Sequence, residues 1–214
     1  MVEKELFIKV CGITNQHDAD LCARFGADLI GFIFDQRSPR AMTVETVRAI
    51  HTPGLMRVGV FTDHSVDEVR RTMQHARLNL AQLHGDQDVE FCAAVGKTRV
   101  MKVFWPERYA TRQDLEADLE RYASCSRFYL MDAGNTGGGH GKPQDWSFLA
   151  GLRGIKTWFI AGGLGPNTIR QAIKEGNPCG LDLNSGVESA PGVKDESKLK
   201  AVFDALIPQQ STGA

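Results

Sequence analysis

Three side chains able to move a proton stand at the ends of short apolar runs: Cys11 follows LFIKV, His84 follows LAQL and Asp132 follows RFYLM. Ordinary pKa values of about 8.5 for a thiol, about 6.5 for an imidazole and about 3.9 for a carboxyl span the range that general acid–base catalysis uses. Each residue also has a plainer reading. A lone Cys at a strand end is commonly a small buried hydrophobe, and an Asp at a turn commonly caps backbone N–H groups. Chemistry alone leaves the three unranked.

A second kind of chemistry is carried by glycines. AGGLGPNTI over residues 161–169 and NSGVE over residues 184–188 are Gly-bearing turns beyond apolar runs, able to bring backbone N–H groups to an anion. Two such turns after successive strands predict a phosphate seat built around Gly162, Gly163, Ser185 and Gly186. The stretch GNTGGGHGKPQDW from Gly134 is not a nucleotide loop, because Thr136 stands where a P-loop needs Gly and Pro143 where it needs Ser or Thr. Its length and composition suit a loop that covers a site. The chain has no G-x-G-x-x-G, no H-E-x-x-H and no Cys/His/carboxylate cluster, so neither a dinucleotide nor a metal is expected.

The elements that must hold these residues recur with one period. Apolar runs begin near Leu6, Leu29, Met56, Asn79, Val100, Phe128, Thr157 and Gly180, and each is followed by a turn signal and a segment of helical spacing. The step of about 25 residues accommodates one strand and one helix. The runs are continuously apolar rather than alternating, as parallel strands covered on both faces require. Helix starts are predicted at Asn15, Thr43, Ser65 (with Glu68), Thr111 (with Asp114) and Asp195, with Pro166 in a first turn; stops are predicted at Gly26, Gly96 and Gly176. Eight βα units fit a closed barrel or an open doubly wound sheet, and the paired phosphate turns favour the barrel. The expectation is α/β: one (βα)8 TIM barrel of eight parallel strands over residues 1–208, with a flexible tail at 209–214. In such a barrel the positions that matter lie at the strand ends: Cys11, Arg40, Asp63, Gln82, His84, Asp132, Gly162, Gly163, Asp182 and Ser185. Cys22, Cys92, Phe32, Phe34, Trp146 and Trp158 read as packing.

Composition narrows the function classes. The 214 residues are 42% apolar and 24% charged, an ordinary globular composition that excludes disordered, fibrous and membrane classes. A balance of 25 basic against 26 acidic residues gives no field for nucleic acid. Five Cys without a C-x-x-C pair suit reduced thiols and a cytoplasmic location. The start MVEKELFIKV lacks the pattern of a signal peptide, and no run is long enough to span a membrane.

Taken together, the segments KVCGIT at Lys9, GADLIGFIF at Gly26, SPR at Ser38, VGVF at Val58, AQLHG at Ala81, MDAGN, GGHG at Gly138, DW at Asp145, AGGL at Ala161 and GLDLNSGVESAPGVKD from Gly180 resemble the phosphoribosylanthranilate isomerase family across nearly the whole chain. The resemblance implies a (βα)8 barrel that converts N-(5-phosphoribosyl)anthranilate to 1-(o-carboxyphenylamino)-1-deoxyribulose 5-phosphate, an Amadori rearrangement in tryptophan biosynthesis, without cofactor or metal. It implies Cys11 as general base, Asp132 as general acid and Arg40 as the ligand of the anthranilate carboxylate. Gly162, Gly163, Ser185 and Gly186 match its phosphate loops, and Gln82, His84 and Asp182 match pocket-lining positions. The implied partner is the small phosphorylated substrate, with no nucleic acid or membrane and with the chain a monomer or a homodimer.

These roles invert ordinary protonation. Moving a proton from a thiol to an Asp spans about 4.6 pKa units, or about 6 kcal/mol. Cys11 is expected to gain from backbone donors or positive charge, and Asp132 from desolvation; failing that, the site reacts from a minor protonation state. His140 in the G-G-x-G turn and Gln144 before Asp145-Trp146 depart from the family pattern. The alternatives are another phosphosugar barrel, for which Lys102 is the interior strand lysine to consider, or a catalytically silent phosphate-binding barrel.

Overall fold

Each expected strand forms within one residue of where its apolar run begins: β1 (Phe7–Val10), β2 (Leu29–Ile33), β3 (Met56–Phe61), β4 (Leu80–Leu83), β5 (Val100–Phe104), β6 (Phe128–Asp132), β7 (Trp158–Ala161) and β8 (Gly180–Leu183). The computed structural model describes residues 6–132, 146–149, 151–152 and 157–206. The strands pair in chain order and β8 returns to β1, closing an all-parallel barrel. The Gly-rich stretch after Asp132, with His140 and Gln144, and the tail 209–214 lie outside the described residues.

Of the helices α1 (Gln16–Phe25), α2 (Val44–Ala49), α3 (Val66–His75), α4 (Val89–Val95), α5 (Arg112–Tyr122), α6 (Ile169–Gly176) and α7 (Glu196–Leu206), five begin directly after the predicted caps, while α4 begins after Asp88, which was not predicted, and α6 three residues past Pro166. Asn15 and Thr43 accept from the third backbone N–H of their helices, and Ser65/Glu68 and Thr111/Asp114 are reciprocal capping boxes. Asp195 accepts from Ser197 and Lys198 at the start of α7. Pro166 lies in a helix-like turn closed by Ile169 N–H to Gly165 C=O, just before α6. Gly176 differs from its expected role as a stop: the left-handed residue is Asn177, with φ 51°. Gly176 is instead the last helical residue, where a Cβ would lie 2.4 Å from Ile160 Cδ1. Close packing of α6 on β7 therefore selects Gly there. Among the described residues no helix is long and apolar enough to cross a membrane.

Two apolar layers follow from the alternation of strand side chains. Leu29, Val58, Leu80, Met101, Leu130 and Phe159 fill the barrel, while Ile30, Phe32, Phe61, Leu83 and Ile160 pack outward beneath the helices. Cys22 and Cys92 belong to the outer layer, where burial pushes their thiols up to about 12. Trp146, Trp158, Phe32 and Phe34 are buried in the same layer.

Among the described residues, one ion pair stands inside the barrel. Lys9 of β1 stands in register with Asp182 of β8, and its Nζ donates to both carboxylate oxygens at 2.7 and 2.8 Å. Lys102 corrects a sequence expectation. Met101 and Val103 take the inward positions of β5, so Lys102 points outward, donates to Gly85 C=O at 2.7 Å and lies near the Trp105 and Tyr122 rings. The interior lysine is Lys9.

Candidate active site

Strand parity places the site. Cys11 is two residues beyond inward-facing Lys9, Gln82 two beyond Leu80, Asp132 two beyond Leu130, and Asp182 two beyond Gly180. These four side chains therefore form the top of the barrel interior, at the C-terminal ends of the strands. They line one cavity of about 300 Å³ together with His84 and the turns after β7 and β8. Gly162, Gly163, Ser185 and Gly186 line it too, so nine of the eleven predicted positions converge, and Arg40 and Asp63 stand outside it.

The Cys11 thiol sits against β2, where glycine makes room for it. A Cβ on Gly31 would lie 2.7 Å from Sγ and 3.2 Å from Lys9 Nζ. Gly12, with φ +73°, turns the chain at the mouth, and a Cβ there would be 2.6 Å from Asn184 Oδ1 and 2.7 Å from Arg40 Cδ. Lys9, Lys194 and Arg40 bring positive charge to the thiol. This charge draws the thiol down, as expected, but does not prevail. Burial, with a smaller contribution from Asp182, pushes Cys11 above the ordinary cysteine value despite Lys9 and Lys194. In the substrate-free site the thiolate is the minor form.

Asp132 closes β6 and faces His84, whose Nε2 is 3.2 Å from its Oδ2. His84 Nδ1 is 3.1 Å from Gln82 Nε2. With the Gln82 amide oriented to donate to Nδ1, the neutral imidazole carries its proton on Nε2, toward Asp132. The Trp105 ring packs edge-on against His84 at 5.4 Å between centroids and fixes the imidazole from the other side.

The turns after β7 and β8 are pressed together backbone to backbone. Gly162 and Gly163 adopt φ of 93° and 62°, where glycine is favoured. Thr168 Oγ1 ties this turn by donating to Gly163 C=O at 2.9 Å and accepting from Gly165 N–H at 3.0 Å. The second turn, Ser185–Val187, is a short 3-10 helix in which a Cβ on Gly186 would lie 2.0 Å from Leu164 C=O. Gly186→Ala must separate the two turns. It is expected to raise KM for a phosphorylated ligand at least about tenfold, consistent with overpacking costs of about 1–3 kcal/mol, with a smaller change in kcat. Steady-state kinetics on the variant checks this.

Arg40 lies beside Gly12 at the edge of the site, with its guanidinium already engaged. Nε donates to both Glu188 oxygens at 2.9 and 3.1 Å, and Nη2 to Oε2 at 2.6 Å. Glu188 opens the antiparallel pair β9 (Glu188–Ala190) and β10 (Val193–Lys194), and buried Lys194 of β10 also reaches it at 2.8 Å. Burial opposes ionisation of Glu188, but Arg40 and Lys194 outweigh it and hold the carboxyl below its usual range. Asp63 faces solvent and pairs with Arg37, away from the cavity. Lys9, Glu188, Lys194 and Asn184 were not singled out from the sequence. For Lys9 the available signal was its parity with Cys11; for Glu188 and Lys194, which meet by a hairpin, there was none.

Among the described residues no group of three His, Cys, Asp or Glu side chains is arranged to hold a metal. The arrangement is suited to moving protons on an anionic small molecule.

Comparisons with known proteins agree with this geometry. Residues 8–205 match the family model described as N-(5'phosphoribosyl)anthranilate (PRA) isomerase. A relative named N-(5'-phosphoribosyl)anthranilate isomerase, from Maridesulfovibrio salexigens, is 43% identical over 201 residues, covering 94% of this chain and 98% of its own. A structure described as mutually generated monomers of the dimeric phosphoribosylanthranilate isomerase from Thermotoga maritima superimposes with a TM-score of 0.79 at 32% identity, covering 93% of this chain and 97% of that one. A phosphoribosylanthranilate isomerase in complex with reduced 1-(o-carboxyphenylamino)-1-deoxyribulose 5-phosphate gives 0.78 at 30% identity, with the same coverage.

Proposed function

Because the chain belongs to the phosphoribosylanthranilate isomerase family, an enzyme family of tryptophan biosynthesis, we propose that Cys11 and Asp132 are the base and acid of its reaction. The reaction converts N-(5-phosphoribosyl)anthranilate to 1-(o-carboxyphenylamino)-1-deoxyribulose 5-phosphate. The observation that carries the assignment is that a thiol, a carboxyl and two Gly-bearing anion turns line one cavity at the strand ends of a closed barrel.

Asp132, in its acid form, gives a proton to the ribose ring oxygen as the C1–O bond breaks, and the anthranilate nitrogen lone pair forms the Schiff base. The Cys11 thiolate then takes the C2 proton, and the C–H electron pair neutralises the iminium as an enolamine. Loss of the C2 hydroxyl proton and protonation at C1 give the aminoketose. Over one turnover the acid regains a proton and the thiol loses one, so the isomerisation balances without an external reductant or oxidant.

The substrate's phosphate is placed on the turns holding Gly162, Gly163, Ser185 and Gly186. Gln82 and His84 orient the Asp132 carboxyl through the contacts at 3.1 and 3.2 Å. Arg40 binds the anthranilate carboxylate through Nη1, the guanidinium nitrogen not given to Glu188, while Glu188 holds the opposite edge of the fork. Arg40→Lys keeps the charge but loses the fork. It is expected to raise KM about tenfold to a hundredfold, the range set by a charge-assisted bond of about 1.5–3 kcal/mol, with kcat nearly unchanged.

Loss of phosphoribosylanthranilate fluorescence on adding the purified protein tests the assignment. The native chain converts the substrate, and Cys11→Ala and Asp132→Asn convert it at least about 100-fold more slowly; near-native turnover by either variant removes that residue from the mechanism.

A further inference from the structure

Lys9 has no bond to make in the reaction as assigned, yet it occupies the most expensive place a cation can take. Its side chain is fully buried, its Nζ donates to the Asp182 carboxylate at 2.7 and 2.8 Å, and the Cys11 sulfur is its neighbour across Gly31, where a Cβ would lie 2.7 Å from Sγ and 3.2 Å from Nζ. A buried ion pair is poor evidence of stabilisation, since apolar residues of the same volume usually do as well. Two anions therefore compete for one ammonium: Asp182, always close, and the sulfur of Cys11 once it has ionised.

We propose that Lys9 is a positioning residue for the base, its ammonium shared between Asp182 in the resting site and the Cys11 thiolate in the reactive one, with Asp182 setting how much the sulfur receives. On ionisation the S–H bond breaks, the proton leaves to water in the open cavity, the electron pair stays on sulfur, and an N–H bond from Lys9 turns to it. Nothing is oxidised or reduced. The charged groups that act on this sulfur are Lys9 on β1, Asp182 on β8, Lys194 on β10 and Arg40 beyond β2; Asp132 and His84 act on Asp182 from across the cavity. Contact with Asp182 and Cys11 outweighs burial and keeps Lys9 above its ordinary pKa, so it remains a cation wherever the thiol titrates.

A merely structural pair and a shared cation make different predictions. If the pair only holds β1 to β8, losing either partner disturbs Cys11 in the same sense. If Lys9 is shared, Asp182→Asn frees the ammonium and removes a repelling charge, and the thiolate forms at lower pH. Lys9→Met removes the cation, and the thiolate forms at higher pH. The reading rests on Cys11 being the base, but the test does not need turnover. The rate of Cys11 alkylation by iodoacetamide is measured against pH on the full chain without substrate, with peptide mapping to separate residue 11 from partly exposed Cys179.

The expected result is a midpoint moved down by about one pH unit in Asp182→Asn and up by about one unit in Lys9→Met, each a tenfold change in the ionisation constant. Should Lys9→Met not fold, the charge-free pair Lys9→Met/Asp182→Asn replaces it, and its midpoint must lie above that of Asp182→Asn alone. Midpoints that shift in the same direction, or stay at the native value, overturn the proposal. Failure of Cys11 as base would appear separately, as turnover by Cys11→Ala.

Discussion

Cys11→Ala is expected to lower kcat by about 10²- to 10⁴-fold, the usual contribution of a positioned general base, without unfolding the chain. The substitution removes one sulfur from a site faced by Gly31 and leaves the strands and caps as they are. Cys11→Ser separates chemistry from packing, because a hydroxyl fills nearly the same space but does not ionise near neutral pH. Its kcat should fall with that of the alanine variant. Turnover by Cys11→Ser within a few-fold of native would show that the position needs shape only.

Asp132→Asn is expected to lower kcat by a similar factor, with KM changed only a few-fold, because the amide fits the carboxyl's place but cannot supply an acid's proton. Its pH profile carries the larger information. The reactive native form needs the thiolate and the carboxylic acid together. A carboxyl ordinarily ionises at lower pH than a thiol, so between the two ionisations the population of that form depends on their separation and hardly on pH. Native kcat/KM is therefore flat through the neutral range. With the acid removed, only the thiolate requirement remains, and the residual kcat/KM should climb about tenfold per pH unit until Cys11 ionises. Because burial raises that thiol, the climb continues above the ordinary cysteine value. A residual activity that is flat or falls with pH would mean that Cys11 is not the base.

The raised thiol also identifies which of two expected routes the site uses. Lys9, Lys194 and Arg40 bring positive charge to the sulfur, but the residues packed around it strip most of its solvation, and burial is the larger effect. With Cys11 as the proposed base, the site is expected to work from a minor protonation state. A higher thiol pKa reduces the thiolate population while making each thiolate a stronger base, which moderates the cost to the rate.

Strand positions were legible because parallel strands covered on both faces must be apolar throughout, and turn residues mark their ends. The same uniformity hid which residues point inward. FIKV and VMKVF each place a lysine among apolar residues, yet Lys9 faces the barrel and Lys102 the helices. Parity could be read only from Cys11, whose place at the strand end fixes the face that Lys9 shares two residues earlier. Turn residues carry their own signal, so Gly162, Gly163, Ser185 and Gly186 could be read directly. Arg40 could be named but not its engagement with Glu188, since 148 residues separate the two and the contact exists only once β9 and β10 form beside the barrel.

The central claim is that Cys11 and Asp132 act on one sugar held by its phosphate at the turns after β7 and β8. The most direct test is a crystal structure of this chain with reduced 1-(o-carboxyphenylamino)-1-deoxyribulose 5-phosphate. The phosphate is predicted on the backbone of Gly163 and Gly186, with Cys11 Sγ at about 3–3.5 Å from C2 in a reactive arrangement and the Asp132 carboxyl facing the oxygen released by ring opening. A phosphate bound elsewhere, or a sulfur separated from C2 by another side chain, would contradict it.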